Sequence, residues 1–233
     1  MASFRFKRSL QFWLSASAVV GSAALVSACG GGSSGGSSSS SAPSYGGGLT
    51  PGSVTLTITH HVTLTTNFGK IVVGLDGTHA PLSTANFLAY VNANFYNGTL
   101  FHRVVPGFVA QGGGYIDNNG TYQLQGPLQA AIALESRNGL SNTQYTIAMA
   151  RTSDPNSATS QFYFNLVNNA SSLDYPSSDH AGYAVFGTVS PTDSTSIATL
   201  TAISAVTTGT NSQTGQSNWP SSDVVITSAV QTD

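Results

Sequence analysis

Arg103 and Gln111 stand in one short stretch, FHRVVPGFVAQGGG, set among apolar residues and followed by three glycines. A guanidinium stays protonated at every relevant pH and carries its donors in a rigid planar fork, so a fixed Arg suits a reaction in which a lone pair or charge develops at one atom. Taken alone, the same Arg also fits a solvated residue on an ordinary strand, because Arg is expensive to bury. Other chemistries are poorly supplied. Cys29 is the only cysteine, and no HExxH, CxxC, GxSxG or phosphate-cradling spacing occurs. His60 and His61 are adjacent, which on a strand sends them to opposite faces, where they cannot share a metal. The five His and nine acids show no nucleophile and base at short spacing. An enzyme built from this inventory would work without a covalent intermediate and without a metal.

The elements that must hold these residues read mainly as strands. SVTLTITHHVTLTTNFGKIVVGLDG alternates Val, Leu and Ile with Thr and breaks at NFGK, which predicts a hairpin with one face in water. Further strands are expected over 99–105, 108–111, 146–149, 161–166, 184–189 and 224–230. LSTANFLAYVNANFY predicts a helix capped by Ser83 or Thr84, with Phe87, Leu88 and Val91 at helical spacing. DSTSIATLTAI predicts a second, capped by Asp193 or Ser194, with Ile197, Leu200 and Ile203 on one face. Many short strands, Gly-rich turns and two helices suggest a closed β-barrel with helical caps.

Only 7% of the 233 residues are charged, against about 25% in a typical soluble protein. Ser, Thr, Asn and Gln must therefore build the surface. Arg5, Lys7 and Arg8 precede the apolar run 10–26; beyond it Lys70, Arg103, Arg137 and Arg151 face all nine acids. A phosphate-binding surface needs clustered Lys and Arg, so nucleic acid is excluded as a partner. The basic start MASFRFKRS, the apolar run and the small residues of LVSACG follow the order of a secretory signal. LVSAC resembles the lipobox of bacterial lipoproteins, which implies a diacylated Cys29 as first residue of the mature chain. Residues 30–48 are almost entirely Gly and Ser, a flexible tether. The expected organisation is a signal peptide over 1–28, a lipidated tether over 29–52 and one folded domain over 53–233.

Three blocks occur in order: FHRVVPGFVAQGGG, YTIAMARTSDPNSATSQFYFNLVNN and GYAVFGTV. Together they closely resemble the cyclophilin family of peptidyl-prolyl isomerases, in particular its bacterial periplasmic branch, over about 62–230. The resemblance implies a mainly β fold, a closed eight-stranded antiparallel β-barrel capped by two α-helices. It implies a catalytic set of Arg103, Gln111 and His102, with Arg103 as the key group. It carries substrate binding to Phe108, Val109, Ala150, Arg151, Gln161, Tyr163, Leu173 and Tyr183. Alternation independently puts Gln161 and Tyr163 on one strand face and Phe162 and Phe164 on the other. It cannot place Phe108, because Pro106 and Gly107 interrupt the count.

The chain departs from the family pattern at three places. Ser172 stands where many eukaryotic members carry Trp, Tyr163 replaces the proline-pocket Phe, and Arg151 replaces a common Asn. A buried Tyr163 hydroxyl would need a partner. The implied partners are proline-containing polypeptides and, through Cys29, a membrane of the bacterial envelope facing the periplasm; a monomer with no cofactor and no metal is expected. Gly30 lacks the Asp associated with inner-membrane retention, which favours the outer membrane. A non-catalytic proline-binding module or holdase, or a purely structural envelope lipoprotein, would use the same fold. Retention of both Arg103 and Gln111 favours catalysis over either.

Overall fold

The computed structural model describes residues 48–176 and 181–233. The signal segment, Cys29 and nearly all of the Gly/Ser tether lie outside the described residues. In chain order the elements are β1 (His60–Thr66), β2 (Gly69–Leu75), α1 (Pro81–Asn92), β3 (Thr99–Leu100), β4 (Arg103–Val105), β5 (Val109–Gly112), β6 (Tyr115–Asn118) and β7 (Thr121–Leu124). There follow β8 (Thr146–Met149), β9 (Phe162–Asn165), α2 (Ala170–Leu173), β10 (Val185–Thr188), α3 (Ser194–Ser204), β11 (Thr208–Gly209), β12 (Trp219–Pro220) and β13 (Ile226–Gln231).

The Thr-alternating segment forms the expected hairpin. Val62 pairs with Val73 and Leu64 with Ile71; all four are fully buried. Gly69 closes the turn at φ 138°, and a Cβ there would run into the Thr199 side chain on α3. From this hairpin an eight-stranded sheet extends in the order β13-β1-β2-β10-β8-β9-β5-β4. Its interior face packs Val62, Leu64, Phe87, Phe101, Phe162, Phe164 and Phe186 into one cluster with the apolar faces of α1 and α3. The expected closed barrel is replaced by a sheet whose end strands, β13 and β4, do not pair with each other. The chain just before β4 bridges to the region of β13 instead: Gly98 N–H donates to Ile226 O (2.8 Å) and Phe101 N–H to Val224 O (2.9 Å).

Both expected helices are present, and α2 adds a single turn. Asp193 caps α3 by accepting from Thr195 and Ser196 N–H. The start of α1 differs from the expectation at Ser83 or Thr84. The helix begins at Pro81, a favoured first position because Pro has no N–H to leave unpaired, and Ala80 makes no side-chain cap. Ser83 and Thr84 are buried in the first turn, and the cap is a carboxylate from far along the chain. Glu135 accepts from Leu82 N–H (3.0 Å), Ser83 N–H (2.8 Å) and Ser83 Oγ (2.7 Å). A negative group at a helix N-terminus satisfies orphan donors and complements the dipole. Glu135→Ala should therefore lower unfolding free energy by about 2 kcal/mol in urea titrations, with Glu135→Gln losing less. Equal stability of the Ala variant and the parent would contradict this cap.

Candidate active site

Strand register assembles the site. Arg103 on β4 lies opposite Gln111 on β5, Gln111 opposite Tyr163 on β9, Tyr163 opposite Ala148 on β8, and Ala148 opposite Val185 on β10. Directly opposed residues project from the same face of a sheet, so these five side chains form one row across five strands. Their sequence neighbours Val104, Ala110, Phe162, Phe164 and Ile147 point the other way, into the interior cluster. The sheet thus packs one face into the main core and the other into a second, smaller apolar cluster, at whose edge Arg103, Phe108 and Tyr183 stay partly exposed.

Val109, Leu140, Ala148, Ala150, Tyr163, Leu173 and Val185 form a second apolar cluster on that face, with Phe108 and Tyr183 packed against it. Phe108, which alternation could not assign, is brought here by the turn at Gly107 (φ 70°) between β4 and β5. The Tyr163 and Tyr183 rings meet edge to face at 5.9 Å. Six residues that the resemblance assigned to substrate binding therefore share one patch.

Beside that patch sits the polar pair. Arg103 is half-buried, and its Nη1 is buried with no hydrogen-bond partner among the described residues. Burial lowers the guanidinium's pKa, opposed by the nearby Tyr183, yet Arg stays charged through the physiological range. Gln111 donates from Nε2 to Gln161 Oε1 (2.9 Å), and its own Oε1, also buried, has no partner among the described residues. The glycine run has its reason here. Gly113 takes φ 80°, and a Cβ at Gly114 would lie 2.6 Å from Gln161 Cδ, so only glycine leaves room for the Gln161 side chain that holds Gln111.

Two assigned residues sit differently from their neighbours. The His102 ring packs at 4.9 Å from Tyr115 and 6.0 Å from Trp219, in an aromatic cluster separate from the groove patch. Burial pushes its pKa down to about 4, so it is neutral at physiological pH. Arg151 is buried rather than reaching out along the groove edge. It donates from Nε and Nη2 to Gly182 O (3.0 and 2.9 Å), and its guanidinium lies 4.3 Å from the Tyr183 ring centre. Its side chain acts by holding the rim residue Tyr183.

Sequence reasoning missed the residues beneath the groove. The Tyr163 hydroxyl finds its partner in Asn142 Oδ1 (2.8 Å), and Asn169 Nδ2 donates to Phe108 O (2.8 Å). Asn is usually exposed, and nothing in LSNTQ or LVNNA marks these positions as buried.

With this geometry in view, residues 61–231 match the family described as cyclophilin type peptidyl-prolyl cis-trans isomerase/CLD. Peptidyl-prolyl cis-trans isomerase A of Dickeya dadantii is 50% identical over 133 residues, covering 57% of this chain and 67% of its own. Peptidyl-prolyl cis-trans isomerase cyp18 of Streptomyces antibioticus is 44% identical over 170 residues, covering 72% of this chain and 96% of its own. Among solved structures, a cyclophilin type isomerase of Cryptosporidium parvum, crystallised in the presence of the dipeptide Ala-Pro, superposes with a TM-score of 0.57 at 22% identity. That superposition covers 74% of this chain and 99% of the other. The chain belongs to the cyclophilin type peptidyl-prolyl cis-trans isomerase family.

Proposed function

We propose that the groove over β4, β5, β8 and β9 binds the proline ring of an X-Pro segment and that Arg103 catalyses rotation about its peptide bond. The chain is a peptidyl-prolyl cis-trans isomerase. Amide resonance sets a rotation barrier of about 18–20 kcal/mol. Twisting removes the resonance and returns a lone pair to the proline nitrogen. A fixed donor aimed there stabilises the twisted state over both planar isomers, the condition for catalysis.

One observation carries this reading: Arg103 Nη1 and Gln111 Oε1 are a buried donor and a buried acceptor without partners among the described residues, on paired strand positions beside the second apolar cluster. Buried polar groups are normally satisfied, so the pair awaits groups that a substrate brings. A peptide supplies both. The twisted nitrogen accepts from Arg103, and Gln111 receives a backbone N–H. The partly exposed Phe108 and Tyr183 meet the ring, backed by the buried Val109, Tyr163 and Leu173, while His102 packs beside them against Tyr115 and Trp219. Rotation involves no net proton transfer, so the site needs no base. A protease-coupled assay on a short proline peptide tests the reading, and absence of acceleration by the folded chain would overturn it.

The place of action is read from the first fifty residues. Acylation at Cys29 would hold a monomeric isomerase on the periplasmic side of a bacterial membrane, the outer one by the criterion of Gly30, with the tether giving reach to clients. Cys29→Ser should release soluble, folded, active protein. Membrane attachment of that variant, followed by fractionation, would refute the anchor.

A further inference from the structure

Asn142 lies in the loop before β8 and is buried, with 1% of its surface exposed. A side-chain amide can accept two hydrogen bonds and donate two, and Asn142 uses all four on the groove. Its Oδ1 accepts from Tyr163 Oη (2.8 Å) and Asn165 Nδ2 (3.1 Å). Its Nδ2 donates to Asp174 Oδ1 (2.9 Å) and to the Tyr183 carbonyl (3.3 Å). These partners come from β9, the end of α2 and the approach to β10. Each belongs to or adjoins the second apolar cluster: Tyr163 itself, Leu173 next to Asp174, and Tyr183 packed against it. Asn165 extends the link, because Asn169 Nδ2 donates both to Asn165 Oδ1 (2.8 Å) and to Phe108 O (2.8 Å).

We propose that Asn142 is a positioning residue for the proline pocket, fixing Tyr163, Tyr183 and Leu173 at the separation a pyrrolidine ring requires. The inference rests on the reading of the groove as the proline site. Three separately delivered walls have no covalent reason to keep their spacing; a saturated amide in their midst supplies one. Tyr163 gives the device direction, since its hydroxyl adds a directional bond to Asn142 where a Phe would only pack. Such a residue acts on how well the ring fits and not on the guanidinium.

Steady-state isomerase kinetics of the full chain on a proline tetrapeptide, with Asn142→Ala and Arg103→Ala alongside the parent, test the inference. Loss of the four bonds should raise KM about tenfold in Asn142→Ala while kcat stays within about twofold; Arg103→Ala should instead lower kcat. A merely structural Asn would lower the melting temperature and leave KM unchanged. Should Asn142→Ala not fold, Tyr163→Phe removes the hydroxyl's bond to Asn142 and leaves Asn142 Oδ1 its bond from Asn165; it should raise KM about threefold. Unchanged KM in the folded variant overturns the inference. If Arg103→Ala has lost turnover in that experiment, only Asn142's role falls. If Arg103→Ala retains turnover, the groove reading falls with it.

Discussion

Replacing Arg103 with Ala is expected to reduce catalytic efficiency on a proline peptide by about a hundredfold to a thousandfold while the far-ultraviolet circular dichroism spectrum stays that of the parent. The magnitude follows from one preorganised charged donor contributing about 3 to 4 kcal/mol to the transition state. The fold should survive because Arg103 is only half-buried and its Nη1 has no partner among the described residues. Arg103→Lys should recover little, since an ammonium lacks the planar fork and the reach to keep the same geometry. A solvated Arg on a strand would predict no change in either variant, and retention of more than about half of the efficiency would support that reading instead.

The second large effect is on stability, and it comes from His102. Burial against Tyr115 and Trp219, with a smaller contribution from the Arg103 charge, lowers its pKa from the ordinary 6.5 to about 4. Between those values the unfolded chain binds a proton that the folded chain refuses. Stability attributable to this residue is thus fully present above pH 6.5 and is lost as the pH falls toward 4. A shift of that size corresponds to something on the order of 3 kcal/mol. Urea unfolding at pH 7 and at pH 4.5 should show most of the loss, and His102→Gln should flatten the difference. A parent protein equally stable at both pH values would contradict a neutral buried His102.

How far the sequence exposed this site depends on the range of the interaction. Local alternation carried β8 at Thr146–Met149 and the opposed faces of Tyr163 and Phe162, because a period of two is a property of a few neighbouring residues. The Asn119-Gly120 turn between β6 and β7 carried an ordinary hairpin signal, with both residues at positive φ (52° and 85°). Its flanks give no matching strand signal, since Tyr115–Leu124 has little apolar alternation. Other features depend on pairing across long separations. The Arg103 to Gln111 to Tyr163 register joins strands whose offsets are set by turns, and no periodicity spans them. Glu135 caps a helix that begins more than fifty residues earlier, so the local signals at Ser83 and Thr84 pointed to the wrong residues. Asn142 is the extreme case: it is defined entirely by partners on three other segments. Resemblance supplied the groove residues that periodicity could not, and it was silent about the polar support beneath them.

If proline is held by the apolar residues and the bond is turned by Arg103, binding and catalysis at the proposed site are separable. Two-dimensional NMR exchange spectroscopy on a proline peptide, with the full chain present in catalytic amount, measures cis-trans interconversion at equilibrium while chemical-shift changes report binding. Strong exchange cross-peaks are expected with the parent, and with Arg103→Ala retained shift changes but little acceleration. Acceleration undiminished in Arg103→Ala, or binding by the parent without any acceleration, would contradict this assignment.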